Sequence, residues 1–68
     1  MRQVLLYPES DGGWVVECPS LPGCVSQGEN RDEAVDNIKE AIEAYIEALE
    51  MDGLPVPEER FGAELIAV

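Results

Sequence analysis

The 68-residue chain is long enough for one domain and too short for a second hydrophobic core, which would need roughly 50 further residues. Hydrophobic residues make up 46% of it, enough to offset the entropy lost on folding, so the composition excludes intrinsic disorder. The net charge of −11, with no His, disfavours binding to nucleic acid or to an anionic membrane and favours a basic protein partner, although acidity can also serve solubility alone.

The N-terminal sequence and the two cysteines bear on the compartment. No stretch approaches the roughly 18 apolar residues of a membrane span, and the start of the chain lacks the apolar run of a secretory signal. We therefore expect a cytoplasmic protein in which Cys18 and Cys24 stay reduced. Two thiols without a His leave a zinc ion short of four ligands, so we expect no metal and no other cofactor.

The first residues have the pattern of a β-hairpin. Residues 3–7 are rich in strand formers, and Pro8 ends the strand or lies at a sheet edge because it has no N–H to donate. Residues 9–13 contain Asp-Gly and Gly-Gly pairs, which supply the backbone conformations of a tight turn. Residues 14–18 are then predicted to form the second, antiparallel strand.

A loop separates this hairpin from a third strand. Residues 19–23 contain two prolines and a glycine, which together forbid a continuous strand or helix. Residues 24–27 are short and rich enough in strand formers to predict the third strand, which Gly28 ends.

An amphipathic helix is the longest predicted element. Asn30 and Glu33 have the spacing of a helix start, in which the Asn caps a free N–H and the Glu reaches back toward the cap residue. The helix ends near Met51 and Asp52, where Gly53 can adopt a left-handed conformation. One face is apolar and the opposite face is mainly acidic. The apolar face comprises Ala34, Val35, Ile38, Ala41, Ile42, Tyr45, Ile46 and Leu49, and the opposite face comprises Asp36, Lys39, Glu40, Glu43, Glu47 and Glu50.

The residues after the helix are predicted to return to the sheet. Residues 54–57 are too rich in proline for a central strand, residues 58–62 form a connecting loop, and residues 63–68 form a last strand. The order strand, strand, strand, helix, strand predicts a two-layer α+β domain over residues 1–68, an antiparallel hairpin sheet with one long helix. Its second sheet face is uncovered, which predicts a homo-oligomer, a dimer or a tetramer, or cover by a partner.

Several motifs resemble those of the HicB-type antitoxin family. Residues 19–28, Pro-Ser-Leu-Pro-Gly-Cys-Val-Ser-Gln-Gly, are similar to the signature segment of that family. The likeness continues through residues 32–34, Asn37 and residues 40–41 of the helix to residues 52–57. The resemblance implies a partial ribonuclease-H-like fold of three strands, a helix and another strand.

The resemblance also implies a function. HicB proteins bind HicA, a small basic ribonuclease with a double-stranded-RNA-binding-like fold, and keep its active site from messenger RNA. Typical members continue into a helix-turn-helix or ribbon-helix-helix domain, whereas this chain stops at Val68. We therefore expect a short, stand-alone member without a C-terminal DNA-binding domain.

Catalysis is the main alternative class. Ribonuclease-H-like folds can hold divalent metals between carboxylates, and Glu9, Asp11 and Glu17 are the only acids near the hairpin that could converge. Acids in a turn more often serve local hydrogen bonding, so a metal-dependent nuclease is the less favoured hypothesis. Cys24 lacks a basic neighbour in sequence and is predicted to be a small core residue rather than a nucleophile.

Binding is the favoured class, and the sequence offers three candidate contact regions. The aromatic residues of the hairpin either lie on the open sheet face or belong to the core, which alternation does not decide. The loop and the acidic helix face complete the predicted surface for a HicA-type toxin; a stand-alone oligomeric module with another ligand is a third hypothesis. The candidate contact residues are Tyr7, Trp14, Ser20, Leu21, Pro22, Gly23, Cys24, Glu40, Glu43 and Glu47.

Overall fold

The fold consists of one antiparallel sheet and one long helix. It was obtained as a computed structural model, which describes residues 1–60 and 62–68. The three strands lie in the order β1-β2-β3, and the 21-residue helix packs on one face of the sheet, so the predicted α+β class is confirmed. In chain order the elements are β1 (Leu5–Pro8), β2 (Trp14–Glu17), β3 (Val25–Gly28) and α1 (Arg31–Met51).

The predicted hairpin is present. Strands β1 and β2 pair so that Tyr7 lies opposite Val15, and the Glu9 N–H donates to the Gly13 carbonyl at 2.7 Å. Gly12 has a φ of 97°, the left-handed conformation that the glycine-rich turn was predicted to need. β1 is shifted by up to two residues from the prediction and includes Pro8, which an edge strand tolerates.

The two faces of the sheet have different environments. Leu6 and Val16 are paired neighbours on the face that packs against α1, whereas Tyr7 and Val15 lie on the opposite, open face. The core therefore sits between the sheet and α1, closed at one end by the loop between β2 and β3. The buried core residues are Val16, Cys18, Leu21, Cys24, Ala34 and Ile38.

The predicted helix ends are confirmed, with one difference at the start. The Asn30 side chain accepts a hydrogen bond from the Glu33 N–H at 2.8 Å, as an N-cap does. The Glu33 carboxylate, however, accepts from the N–H of Glu29 at 3.2 Å, one residue before the predicted cap residue. At the other end Gly53 has a φ of 68°, and the Leu54 N–H donates to the Leu49 carbonyl at 2.9 Å.

The strand predicted for residues 63–68 is wrong. Residues 62–68 contain no strand, and Leu65 and Ile66 are 87% and 72% exposed. A strand at a chain end forms only where its hydrogen bonds and buried side chains offset the entropy of ordering it, and no backbone hydrogen bond between the described residues joins this segment to the sheet. Among the described residues the order is therefore three strands and a helix, and the ribonuclease-H-like assignment, which implies a further strand, stays a prediction.

Candidate partner-binding surface

An exposed row of carboxylates runs along the outer face of α1. We call Asp36, Glu40, Glu43, Glu47 and Glu50 the acidic stripe; every member is exposed. Spacings of three and four residues place them on one side of a helix, opposite the buried Ala34 and Ile38. Among the described residues the only ion pair is Arg31 with Asp32, at 3.7 Å, so no cation pairs with the stripe in that part of the chain.

The loop between β2 and β3 is held in a fixed shape by its own backbone. The Leu21 N–H donates to the Cys18 carbonyl at 3.1 Å, and the Cys24 N–H donates to the Leu21 carbonyl at 3.0 Å. Gly23 has a φ of 81°, which favours glycine. The Tyr45 hydroxyl donates to the Pro22 carbonyl at 2.8 Å and ties the loop to α1.

The predicted loop contacts divide into buried and exposed residues. Leu21 and Cys24 are buried, with 0% and 4% of their surface exposed, so they shape the loop from inside. Pro22 and Gly23 are exposed and Ser20 is half-buried, so a partner reaches the loop through these three residues.

Cys24 has the environment of a core residue. Burial, with a smaller effect of the neighbouring Cys18, raises the pKa of the Cys24 thiol above its ordinary value. A raised pKa keeps the sulfur protonated and unreactive at neutral pH. Both cysteines are free thiols.

The two aromatic candidates lie on opposite faces of the sheet. Trp14 is half-buried and packs against the core, whereas Tyr7 is 41% exposed on the open face. The Tyr7 hydroxyl donates to the Glu17 carboxylate at 2.5 Å. This hydrogen bond, then burial and the negative charge of Glu17 raise the pKa of Tyr7. Tyr7 thus belongs to the open face together with Val25, which is 55% exposed.

Trp14 also borders an acidic cavity that the sequence reasoning missed. The cavity, of about 690 Å³, lies between the hairpin turn and the start of α1. Strand pairing places Trp14 opposite Gly28, and only two residues separate Gly28 from α1, so the helix start necessarily returns to this end of the sheet. The two-residue spacing between the predicted third strand and the predicted helix is the feature of the sequence that could have indicated this cavity. The cavity is lined by Glu9, Asp11, Gly12, Gly13, Trp14, Gln27, Gly28, Glu29, Glu33 and Asn37.

The three acids of the nuclease hypothesis do not converge. Glu9 and Asp11 lie at the cavity beside the hairpin turn, whereas Glu17 is at the far end of β2, about 10 Å along the strand from Trp14 at about 3.3 Å per residue. Glu17 is also bonded to Tyr7 on the open face. Within residues 1–60 and 62–68, no group of three or more His, Cys, Asp or Glu side chains is arranged to hold a metal ion.

The predicted contact residues therefore occupy separate surfaces. The acidic stripe lies on the outer face of α1, and Tyr7 lies beyond the sheet on the other side of the molecule. The loop meets α1 at Tyr45, on the apolar side of the helix. One flat interface does not include all of them.

Comparison with known proteins gives the family. A family model described as the HicB-like antitoxin of bacterial toxin–antitoxin systems matches residues 3–66. A UPF0150 protein of Synechocystis is 55% identical over 56 residues, covering 82% of this chain and 71% of that protein. A UPF0150 protein of the archaeon Thermoplasma acidophilum is 48% identical over 65 residues, covering 96% of this chain and 91% of its own length.

A further relative is longer than this chain. An uncharacterized 14.9 kDa protein of Haemophilus phage HP1 is 40% identical over 57 residues, which are 78% of this chain and 43% of the phage protein. No solved structure matches the chain. No helix in the described part of the chain is long and apolar enough to cross a membrane. The chain belongs to the HicB-like antitoxin family, as the residues at positions 19–28 and along the helix predicted.

Proposed function

We propose that this protein is the antitoxin of a toxin–antitoxin pair and that it binds a small basic HicA-type ribonuclease, covering its active site. Membership of the antitoxin family over residues 3–66 supports the class of function. The observation that carries the choice of partner is the acidic stripe, whose five carboxylates outnumber the one cation on that face, Lys39, and form no ion pair within the described part of the chain. A basic surface is the complement of such a row of carboxylates.

The geometry of the stripe suits attraction over a distance. Glu40, Glu43 and Glu47 span about 10 Å of helix at about 1.5 Å per residue, so their charges act together on one approaching surface. The chain carries fifteen acidic residues and four basic ones, so its overall field has the same sign. Such a field raises the association rate of a basic partner and weakens as salt screens it.

Close contact requires apolar surface as well, because exposed ion pairs contribute little to affinity. Pro22 and Gly23 at the loop tip, with Ser20 beside them, are the accessible candidates near α1. Tyr7 lies on the open face of the sheet, on the other side from the stripe, so it does not belong to this contact. Trp14 supports the cavity wall, and the four carboxylates there add to the attraction for cationic side chains.

A binding titration with a purified small basic HicA-type ribonuclease tests the proposal. We expect binding at low salt that weakens steeply at high salt, and protection of RNA from the toxin when the chain is added. The variant Glu40→Gln/Glu43→Gln/Glu47→Gln should bind about tenfold more weakly, since three partly screened charges are worth on the order of 1.4 kcal/mol together.

The matched control is Asp52→Asn/Glu58→Gln/Glu64→Gln, which changes net charge equally at exposed carboxylates outside the stripe and the cavity. Equal weakening by both triple variants would show that net charge, not the stripe, attracts the partner. No binding at low salt would contradict the antitoxin proposal. Hydrolysis of RNA by this chain alone with magnesium would favour the nuclease hypothesis instead.

A further inference from the structure

The edge of the sheet at β1 presents backbone groups that bond to none of residues 1–60 and 62–68. The Glu9 N–H donates to the Gly13 carbonyl, and the Cys18 N–H donates to the Cys24 carbonyl. Hydrogen-bonded and non-hydrogen-bonded pairs alternate in antiparallel strands, so these two bonds fix the pattern. Tyr7 is bonded to Val15 of β2, whereas the N–H and C=O of Leu6 point away from β2 toward the free edge.

The edge at β3 is closed by comparison. The Asn37 side chain donates to the Gln27 carbonyl at 2.7 Å, which occupies one of the outward-pointing groups of β3. Helix α1 lies so close to β3 that a Cβ atom added at Gly28 would be 2.4 Å from the Ala34 nitrogen. An incoming strand therefore meets an edge at β3 that is already occupied at the Gln27 carbonyl, whereas among the described residues the outward groups of β1 have no partner.

The C-terminal segment, residues 63–68, lacks a partner for its apolar side chains and its backbone groups among the described residues. Leu65, Ile66 and Val68 are 87%, 72% and 119% exposed, the longest run of exposed apolar side chains in the described residues. The segment is composed mainly of residues that strands accept, yet it forms no strand pairing with any other described residue. A free edge and a free strand-like segment in the same chain each supply what the other lacks.

The distribution of charge favours this pairing between two copies. Residues 3–8 contain no charged side chain, and residues 62–68 contain one acid, Glu64. Most other surfaces of a chain with net charge −11 would bring acids of two copies together, which costs free energy. Pairing of the C-terminal segment of one copy with β1 of the other avoids this repulsion, because these two segments together carry one acidic side chain.

We propose that two copies of this chain exchange their C-terminal segments, so that residues 63–68 of each copy add a fourth strand beside β1 of the other. The exchange satisfies the N–H and C=O of Leu6 and buries part of Leu65 and Ile66. It keeps each copy's own contacts between Arg2 and the Pro57 carbonyl at 2.6 Å. The inference goes beyond the proposed function and does not depend on it, since it requires no toxin.

Amide hydrogen exchange of the isolated protein, measured together with its molar mass in solution, tests whether two copies swap their C-terminal segments. We expect a dimer in which the Leu6 amide exchanges at least about tenfold more slowly than in dilute monomer, because pairing protects an amide that is otherwise open. The Val16 amide, which bonds to β3 within one copy, is the internal control. It should be protected both in the concentrated dimer and in the dilute monomer. Dimer formation should strengthen as salt screens the repulsion between two acidic chains, opposite to toxin binding.

Two variants locate the contact. Removal of residues 63–68 should give a monomer with a rapidly exchanging Leu6 amide, and Leu65→Ser/Ile66→Ser should do the same while keeping the full length. Val25→Asp places a charge on the open sheet face and should leave the dimer intact. A dimer that survives the truncation, a dimer lost in Val25→Asp, or a Leu6 amide already protected in the dilute monomer would each overturn the proposal.

Discussion

Strands β1 and β3 are the two edges of the same sheet, and the rest of the chain protects them to different degrees. β3 lies directly under α1, and Asn37 donates to the Gln27 carbonyl at its outer edge. β1 pairs with β2 on one side only, and of the described side chains none donates to or accepts from the backbone groups on its outer side; the nearest link is before the strand, where Arg2 donates to Ser20 at 2.9 Å. The two-residue connection between β3 and α1 explains the difference, because it forces the helix to begin above β3. One helix then covers one edge and leaves the other open.

Truncation of Ile38, which fills the core between α1 and the sheet, should have the largest effect on stability. Ile38 is 1% exposed between α1 and the sheet, so Ile38→Ala removes buried methyl groups and leaves a cavity. We expect the free energy of unfolding in urea to fall by about 2–5 kcal/mol. Val25→Ala on the open face of β3 should cost less than about 1 kcal/mol, because Val25 is 55% exposed. Similar losses for the two variants would mean that the core does not lie on the helix side.

The sequence predicted the elements whose structure is decided locally. The hairpin depends on Gly12 and its neighbours, and the helix ends depend on Asn30 and Gly53, each of which acts on backbone groups a few residues away. The strand expected for residues 63–68 depends on a partner edge, which local sequence cannot supply. The same limit applies to the aromatic residues, because strand register, not composition, places Tyr7 and Trp14 on opposite faces.

A substitution at the junction of β3 and α1 should have the next largest effect. Gly28 has no side chain where the helix start passes, and an added Cβ would lie 2.4 Å from the nitrogen and 2.9 Å from the Cα of Ala34. The neighbours are backbone atoms of a capped helix and cannot turn aside, so Gly28→Ala should destabilise by about 1–3 kcal/mol or more. Thermal unfolding followed by circular dichroism measures the loss.

The matched control for that substitution is Gly62→Ala, at which an added Cβ meets no atom within 4 Å. It should change stability by less than about 0.5 kcal/mol. If Gly28→Ala proved equally mild, α1 would have to lie farther from β3, and the covered edge would no longer differ from the edge at β1.

The candidate surface shows a second limit of sequence reasoning. The loop was predicted as a unit, but the side chains of Leu21 and Cys24 complete the core while Pro22 and Gly23 stay exposed. Burial within a loop depends on which backbone groups bond to each other, here Cys18 with Leu21 and Leu21 with Cys24. The acidic stripe was predictable because helical spacing alone fixes which residues share a face.

Loss of the hydrogen bond between Glu59 and the Gln3 N–H, just before β1, should have the smallest effect on stability, and that effect should depend on pH. The Glu59 carboxylate accepts hydrogen bonds from the Gln3 N–H and, at 2.7 Å, from the Arg60 N–H. Burial raises the pKa of Glu59, but these bonds, a bond from Ser20 and the charge of Arg2 outweigh it, so the pKa lies below its ordinary value.

A lowered pKa in the folded state means that folding favours the ionised carboxylate. The stabilisation is complete above the ordinary pKa of a glutamate in an unfolded chain, about 4.3, and is lost as the pH falls through the lower folded-state value. The melting temperature of Glu59→Gln should therefore lie slightly below that of the wild type at neutral pH, and the difference should vanish in acid. Glu58→Gln, a substitution at the exposed neighbouring carboxylate, should show no such convergence. If the wild-type and Glu59→Gln curves stayed parallel from neutral to acidic pH, the Glu59 carboxylate would not anchor residues 57–60 to the residues before β1, and of the described side-chain bonds between these segments only that of Arg2 to the Pro57 carbonyl would remain.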